Sequence, residues 1–185
     1  MPNKVDFFTT RCADGSLSDD VTNAAEFGLC DDPHVAGTLK SRAYLDTSNP
    51  NKWIATVDNA PRYEVTFKGI DDCITIYKPV PLTDGSLEEA SRCDGMLLYE
   101  DSIIFVELKE KRRSWLESSI GQLEATIKVF ADSYDLTIYK RRMAYSVNKA
   151  HPRFNESRIQ SANSFFKEAG IVLRTQAMIK LEPLV

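Results

Sequence analysis

One α/β domain built on a mixed central sheet is the fold class this sequence predicts, and three observations carry it. The chain has 185 residues, 43% of them hydrophobic, enough to bury a single sizeable core and typical of one domain. Residues 95–106 hold two apolar runs, GMLLY and SIIFV, around a short polar interruption, which reads as a hairpin buried on both faces. Directly after it the apolar period becomes helical, and strand-like alternation returns towards the C-terminal end.

The elements follow in order. In SLSDDVTNAAEFGLC, Leu17, Val21, Ala24 and Ala25 recur at helical spacing behind Ser16 and Ser18 as caps, predicting a helix over residues 18–29 with Gly28 at its end. After a turn at Ser48–Pro50, the runs Trp53–Val57, Tyr63–Lys68 and Cys73–Tyr77 predict an antiparallel meander. Pro79, Pro81, Asp84 and Gly85 break that pattern, and the polar stretch to Ser91 reads as a loop with one helical turn at Leu87–Ala90.

Beyond the hairpin, Leu116, Ile120, Leu123, Ile127 and Phe130 recur at steps of four and three behind a Ser114–Glu117 capping box, the clearest helix in the chain. A strand over Ile138–Val147 puts Tyr139, Met143, Tyr145 and Val147 on one face and Lys140 and Arg142 on the other. Asn155 caps a second helix carrying Ile159, Ala162, Phe166 and Ala169, which Gly170 ends. The last strand, Ile171–Leu181, alternates Ile171, Leu173, Ile179 and Leu181 inward with Arg174, Gln176 and Lys180 outward, as at a sheet edge. No repeat or low-complexity linker divides the chain, so residues 1–185 read as one unit.

Composition narrows the function classes. No apolar run approaches the roughly 18 residues of a membrane span, and MPNKVDFFTTRCADG lacks the apolar centre of a signal peptide. A soluble cytoplasmic protein is expected. Cys12, Cys30, Cys73 and Cys93 form no CxxC pair and are expected as reduced thiols; Cys30 and His34 are spaced like ligands, but no second pair stands near them. The net charge of −4 hides a gradient: Lys and Arg against Asp and Glu count 9 to 18 over residues 1–104, 11 to 7 over 105–158 and 3 to 2 over 159–185. Lys111, Arg112, Arg113, Lys140 and Arg142 lie in the basic stretch and are the expected nucleic-acid contacts, with a solvated face as the competing reading.

The chemistry concentrates in CDGMLLYEDSIIFVELKEKRR. With the turn centred between Glu100 and Asp101, paired residues sum to 201, so Tyr99 faces Ser102, Met96 faces Phe105 and Asp94 faces Glu107. Carboxylates directly across a ladder repel unless a cation lies between them. A hard divalent ion such as Mg2+ or Mn2+, which favours oxygen ligands, meets that need. Lys109, two residues on from Glu107, shares the same face. A turn of odd length would slip the register and send Asp94 to the other face.

Asp94, then Glu107-Leu108-Lys109 closing the next strand, then a helix, resembles the PD-(D/E)xK nuclease superfamily over roughly residues 60–150, with Cys93 where the family has proline. The resemblance implies a restriction-endonuclease-like αβββαβ core flanked by helices. It implies that Asp94, Glu107 and the carbonyl of Leu108 bind Mg2+ or Mn2+, and that Lys109 orients the attacking water and steadies charge on the scissile phosphate. Gln122 resembles a glutamine that several members carry in the following helix, where Thr126 stands in place of a tyrosine, and would position water or backbone. Glu26 is either the extra acid some members use or part of a solvated helix face. The expected activity is hydrolysis of nucleic acid, DNA rather than RNA, with the number of subunits open and a homodimer or a larger protein assembly as the partner forms considered. The alternatives are a non-cutting relative that binds nucleic acid or a protein partner in a defence or restriction assembly, and a plain surface salt-bridge cluster.

Overall fold

The computed structural model describes residues 4–78, 81–110, 115–150 and 163–184. Among these the chain forms β1 (Asp19–Thr22), β2 (Glu26–Cys30), β3 (Tyr44–Asp46), β4 (Ala55–Asp58), β5 (Val65–Gly69), β6 (Gly95–Tyr99), β7 (Ser102–Lys109), α1 (Leu116–Ser133), β8 (Arg141–Asn148), α2 (Asn163–Glu168), β9 (Val172–Arg174) and β10 (Met178–Lys180). The strands make two mixed sheets, one in the order β1-β5-β6-β7-β8-β9 and one in the order β10-β4-β2-β3. The class is thus α/β. β5, β6 and β7 are successive antiparallel neighbours, and β8 runs parallel to β7 after the α1 crossover.

β7 explains the layering. Its period of two sends Ile103 and Phe105 into one core, where they meet Leu116, Ile120, Leu123, Ile127 and Phe130 of α1. Ile104, Val106 and Leu108 enter a second core with Phe27, Leu29, Val57 and Ile179 of the smaller sheet. The hairpin is therefore covered on both faces, as its unbroken hydrophobicity requires. One cover is a helix; the other is a sheet, where helices were expected on both sides.

Several local expectations are corrected by tertiary contacts. Residues 18–29 form β1 and β2 instead of a helix. Leu17 and Val21, which suggested a buried helical stripe, are each 59% exposed. Asp19 is instead tied to Lys68, and Asp20 to both terminal nitrogens of Arg42 at 2.9 and 3.0 Å. Gly28 lies mid-strand because Trp53 packs over it: an added Cβ would stand 1.9 Å from the ring's Cγ. The expected meander of Trp53–Val57 with Tyr63–Lys68 and Cys73–Tyr77 is also wrong, since β4 and β5 belong to different sheets and residues 73–77 form no strand. Tyr77 makes only an isolated bridge to Glu89. Leu87–Ala90 is extended rather than helical, with Lys78 N–H donating to Glu88 O at 2.8 Å and Ala90 N–H to Ile76 O at 2.8 Å.

Further along, the strand expected from Ile138 starts at Arg141, because residues 136–138 form a 3-10 turn whose Thr137 N–H is accepted by the Asp135 carboxylate. Ser114, Asn155, Ile159 and Ala162 lie outside the described residues. Gly170, at φ 65°, closes α2 as expected. The final alternation is correct in burial but serves two layers. Leu173 enters the helix-side core from β9, while Ile179 and Leu181 enter the other from β10 and its end.

The N-terminal segment packs Phe7 edge-on against Phe130 at 5.1 Å and Phe8 against Tyr134 at 5.0 Å. It is fastened by a disulfide between Cys12 and Cys73, which corrects the expectation of four reduced thiols. Cys30 and Cys93 are free and buried. The partners are 61 residues apart in sequence and meet in the helix-side core, where Ala13 N–H also donates to Cys73 O at 3.0 Å, so no local spacing could have revealed them. A cross-link over a span of that length restricts the unfolded chain, and its removal costs about 2–5 kcal/mol. Replacing Cys12 and Cys73 together by serine should lower the free energy of denaturant unfolding by that amount, with reductant having no further effect on the variant. Equal stability with and without the pair would refute the bridge.

Candidate functional site

The hairpin turn holds two residues, Glu100 and Asp101, between Tyr99 and Ser102, which pair with each other. Glu100 takes φ 45°, the left-handed geometry that two-residue hairpin turns require at their first position. The register therefore continues through Met96 opposite Phe105 and Gly95 opposite Val106. One step beyond the last pair, Asp94 comes opposite Glu107. Gly95 is needed for this approach, because a Cβ there would stand 2.5 Å from both the Lys68 carbonyl oxygen and the Phe67 ring.

Asp94 is 7% exposed and Glu107 is fully buried. The Asp94 carboxylate accepts the Leu108 backbone N–H at 2.5 Å through Oδ2. In extended backbone the carbonyl of a residue points the same way as its N–H, so the Leu108 carbonyl also faces the Asp94 edge. Lys109 Nζ pairs with Glu107 Oε1 and donates to Gln122 Oε1 at 2.9 Å. Gln122 Nε2 in turn donates to the Arg92 carbonyl at 2.8 Å. Glu107 Oε2 has no hydrogen-bond partner among the described residues.

Burial dominates the electrostatics. It drives the Glu107 carboxyl well above its usual range, the Asp94 charge adds to the shift, and Lys109 opposes it. Burial likewise pushes Asp94 up to about 7 against the pull of the Leu108 amide. Burial is the largest single influence on Lys109 and would lower it, but the charge and hydrogen bond of Glu107, with the charges of Asp94 and Asp31, together raise it. Burial, reinforced by Asp71 and Asp72, also takes Asp31 up to about 6.

Two facing carboxylates, one with an orphaned buried oxygen, form an oxygen donor set that a divalent cation would stabilise. Among the described residues no three His, Cys, Asp or Glu side chains gather as a metal cage. Two carboxylates and one backbone carbonyl suit Mg2+, which commonly takes one or two protein carboxylates and keeps waters. The residues present fit such an ion.

Four of the expected site residues, Asp94, Glu107, Lys109 and Gln122, thus converge with the Leu108 backbone. Lys111, Arg112 and Arg113 lie outside the described residues. Lys140 and Arg142 stand elsewhere. Lys140 pairs with Asp101 at 2.7 Å beside the hairpin turn, and Arg142 is in register with Ile103. Glu107 lies six steps along the strand from Asp101, roughly 20 Å at strand rise. Glu26 opens β2 and is exposed; the acids whose charges bear on Asp94 are Asp31, just past the other end of that strand, and Asp71. Asp31 gave no local signal because its position depends on the smaller sheet. Asp71 was foreseeable only from the β5–β6 register, in which its N–H reaches the Cys93 carbonyl at 3.2 Å.

Comparison with family models, with curated proteins and with solved structures returned no match for this chain.

The raised carboxyls set a pH dependence. Between about pH 4 and pH 7 the native state keeps a proton on Asp94 that the unfolded chain has lost, so stability is greatest below that window and falls as pH rises through it. Each such proton contributes a slope of about 1.4 kcal/mol per pH unit. Unfolding free energy in EDTA should therefore decline from pH 5 to pH 7, and Asp94→Asn should flatten the decline. A wild-type curve that rises over this range would contradict the assignment.

Proposed function

We propose that this chain is a divalent-metal-dependent phosphodiesterase acting on nucleic acid, DNA rather than RNA, of the PD-(D/E)xK kind. The observation that carries the reading is the Glu107 carboxylate, shut away from solvent and facing Asp94, with an oxygen that accepts no hydrogen bond among the described residues. A carboxyl oxygen is seldom left unsatisfied in a dry interior without a role. Further support comes from the order β5-β6-β7-α1-β8, with β8 parallel to β7, which matches the βββαβ portion of the core the resemblance implies. The departures are the strands in place of the leading helix and the second sheet over one face.

Asp94, Glu107 and the Leu108 carbonyl would hold the ion. When bound, Mg2+ or Mn2+ supplies Lewis acidity and lowers the pKa of a coordinated water. Lys109 stays protonated under the influence of Glu107, and its Nζ is positioned to orient a water and to balance charge developing on a phosphate oxygen. Gln122 steadies that ammonium through its Oε1 while anchoring its own amide on Arg92. A proton held on Asp94 in the metal-free protein leaves as the ion binds, so affinity for the ion should rise with pH.

The decisive assay is cleavage of plasmid and single-stranded DNA, and of RNA, with Mg2+, with Mn2+ and with EDTA. Glu107→Gln and Lys109→Ala should each lose at least about a hundredfold in rate while keeping the wild-type circular dichroism spectrum. Cleavage that survives both substitutions would rule the site out. Salt-sensitive DNA binding without metal or cleavage would point instead to the non-cutting relative.

A further inference from the structure

We infer that Thr126 is the positioning residue that holds Asp94 against Glu107, acting on the backbone of Cys93; this deepens the reading of the same site as a metal centre. The need for such a residue follows from the ladder. β6 ends at Gly95, whose partner is Val106, and Asp94 lies one residue beyond the last pair. Strand pairing with β7 therefore does not fix it, while the charge of Glu107 pushes it away.

What holds this stretch comes from α1. Gln122 and Thr126 are four residues apart, so they project from one face of the helix, and both reach the two residues before Asp94. Gln122 Nε2 bonds the Arg92 carbonyl, while Thr126 Oγ1 accepts the Cys93 N–H at 2.7 Å. The single hydroxyl proton of Thr126 goes to the Gln122 carbonyl at 2.9 Å, which leaves its lone pairs for Cys93. Thr126 is fully buried, so no water can take over the Cys93 N–H if the hydroxyl is removed.

The opposite side is closed by β5 and the turn after it, where Ile70 N–H donates to Asp94 O at 2.9 Å and Asp71 N–H to Cys93 O. With its backbone held on both flanks, Asp94 can direct Oδ2 at the Leu108 N–H. Gln122 also touches Lys109, so substituting it disturbs the ammonium and the backbone together. Thr126 bonds the backbone of Cys93 and Gln122 and lies against the Cys93 thiol, but among the described residues it makes no hydrogen bond to Asp94, Glu107 or Lys109, which separates positioning from chemistry.

The test compares Thr126→Val, which keeps the shape and removes the hydroxyl, with Thr126→Ser, which keeps the hydroxyl. The metal-free readout is the amide of Leu108 in 15N–1H spectra and in hydrogen exchange. Thr126→Val should shift that resonance and speed its exchange, and Thr126→Ser should restore both. The second readout is Mn2+ binding by calorimetry, expected to weaken about ten- to a hundredfold in Thr126→Val and to recover in Thr126→Ser. A Leu108 amide unchanged in Thr126→Val while the Cys93 amide moves overturns the inference, whether or not metal binds. If the Leu108 amide responds as expected but wild-type protein takes up no Mn2+, the positioning stands and the metal-dependent reading falls. Should Thr126→Val fail to fold, a Thr126→Ser protein with a displaced Leu108 amide would equally overturn it.

Discussion

Two carboxylates are brought face to face in an interior that excludes water, and most of the surrounding structure works to keep them there. Asp94 and Glu107 gain nothing by burial alone, since desolvation and mutual repulsion both favour their neutral forms. Their ionisation in the metal-free protein is favoured by Lys109. The strand that carries Glu107 is buried along nearly its whole length, with α1 on one side and a second sheet on the other. Such a strand has little freedom to tilt its side chains out of the way. The tension is relieved instead by protonation, which is why both carboxyls are raised.

α1 has a double role in this arrangement. Its apolar stripe, Leu116, Ile120, Leu123, Ile127 and Phe130, closes the core, while Gln122 reaches the ammonium of Lys109 and the backbone leading to Asp94. Packing thus places the polar groups of the helix to within hydrogen-bond distance of the site. Ser119, from the same helix, shares a 2.6 Å hydrogen bond with Ser146, the register neighbour of Glu107 on β8. A polar row therefore runs beneath the helix through an otherwise apolar layer.

What could be read from the chain alone followed the range of the interactions involved. The hairpin, its register and the convergence of Asp94, Glu107 and Lys109 rest on contacts within about fifteen residues, and period-two reasoning reached them. The helix over Leu116–Ser133 was legible for the same reason. Residues 18–29 were not, because Asp19 and Asp20 find their partners in Lys68 and Arg42, and helical spacing of Leu17 and Val21 carried no information about that. The basic residues Lys140 and Arg142 illustrate the converse. Closeness in sequence to the site suggested closeness in space, but a parallel strand after a helical crossover puts its beginning beside the hairpin turn, away from the acids. Asp31 and the Cys12–Cys73 bridge depend on the smaller sheet and on the N-terminal segment, neither of which has a local signature.

The passage of the chain between layers has a consequence for how the protein forms. β4 pairs with β2 on one side and with β10 on the other, and β10 contains some of the last described residues. On an emerging nascent chain, the outer edge of β4 has no partner until those residues arrive. Contacts so distant in sequence make for slow folding, and an unpaired strand edge invites association with other chains in the interval. The second layer that dries one side of the hairpin is therefore completed only after every strand of the larger sheet has been made, which puts a premium on chaperone protection or slow translation during that window.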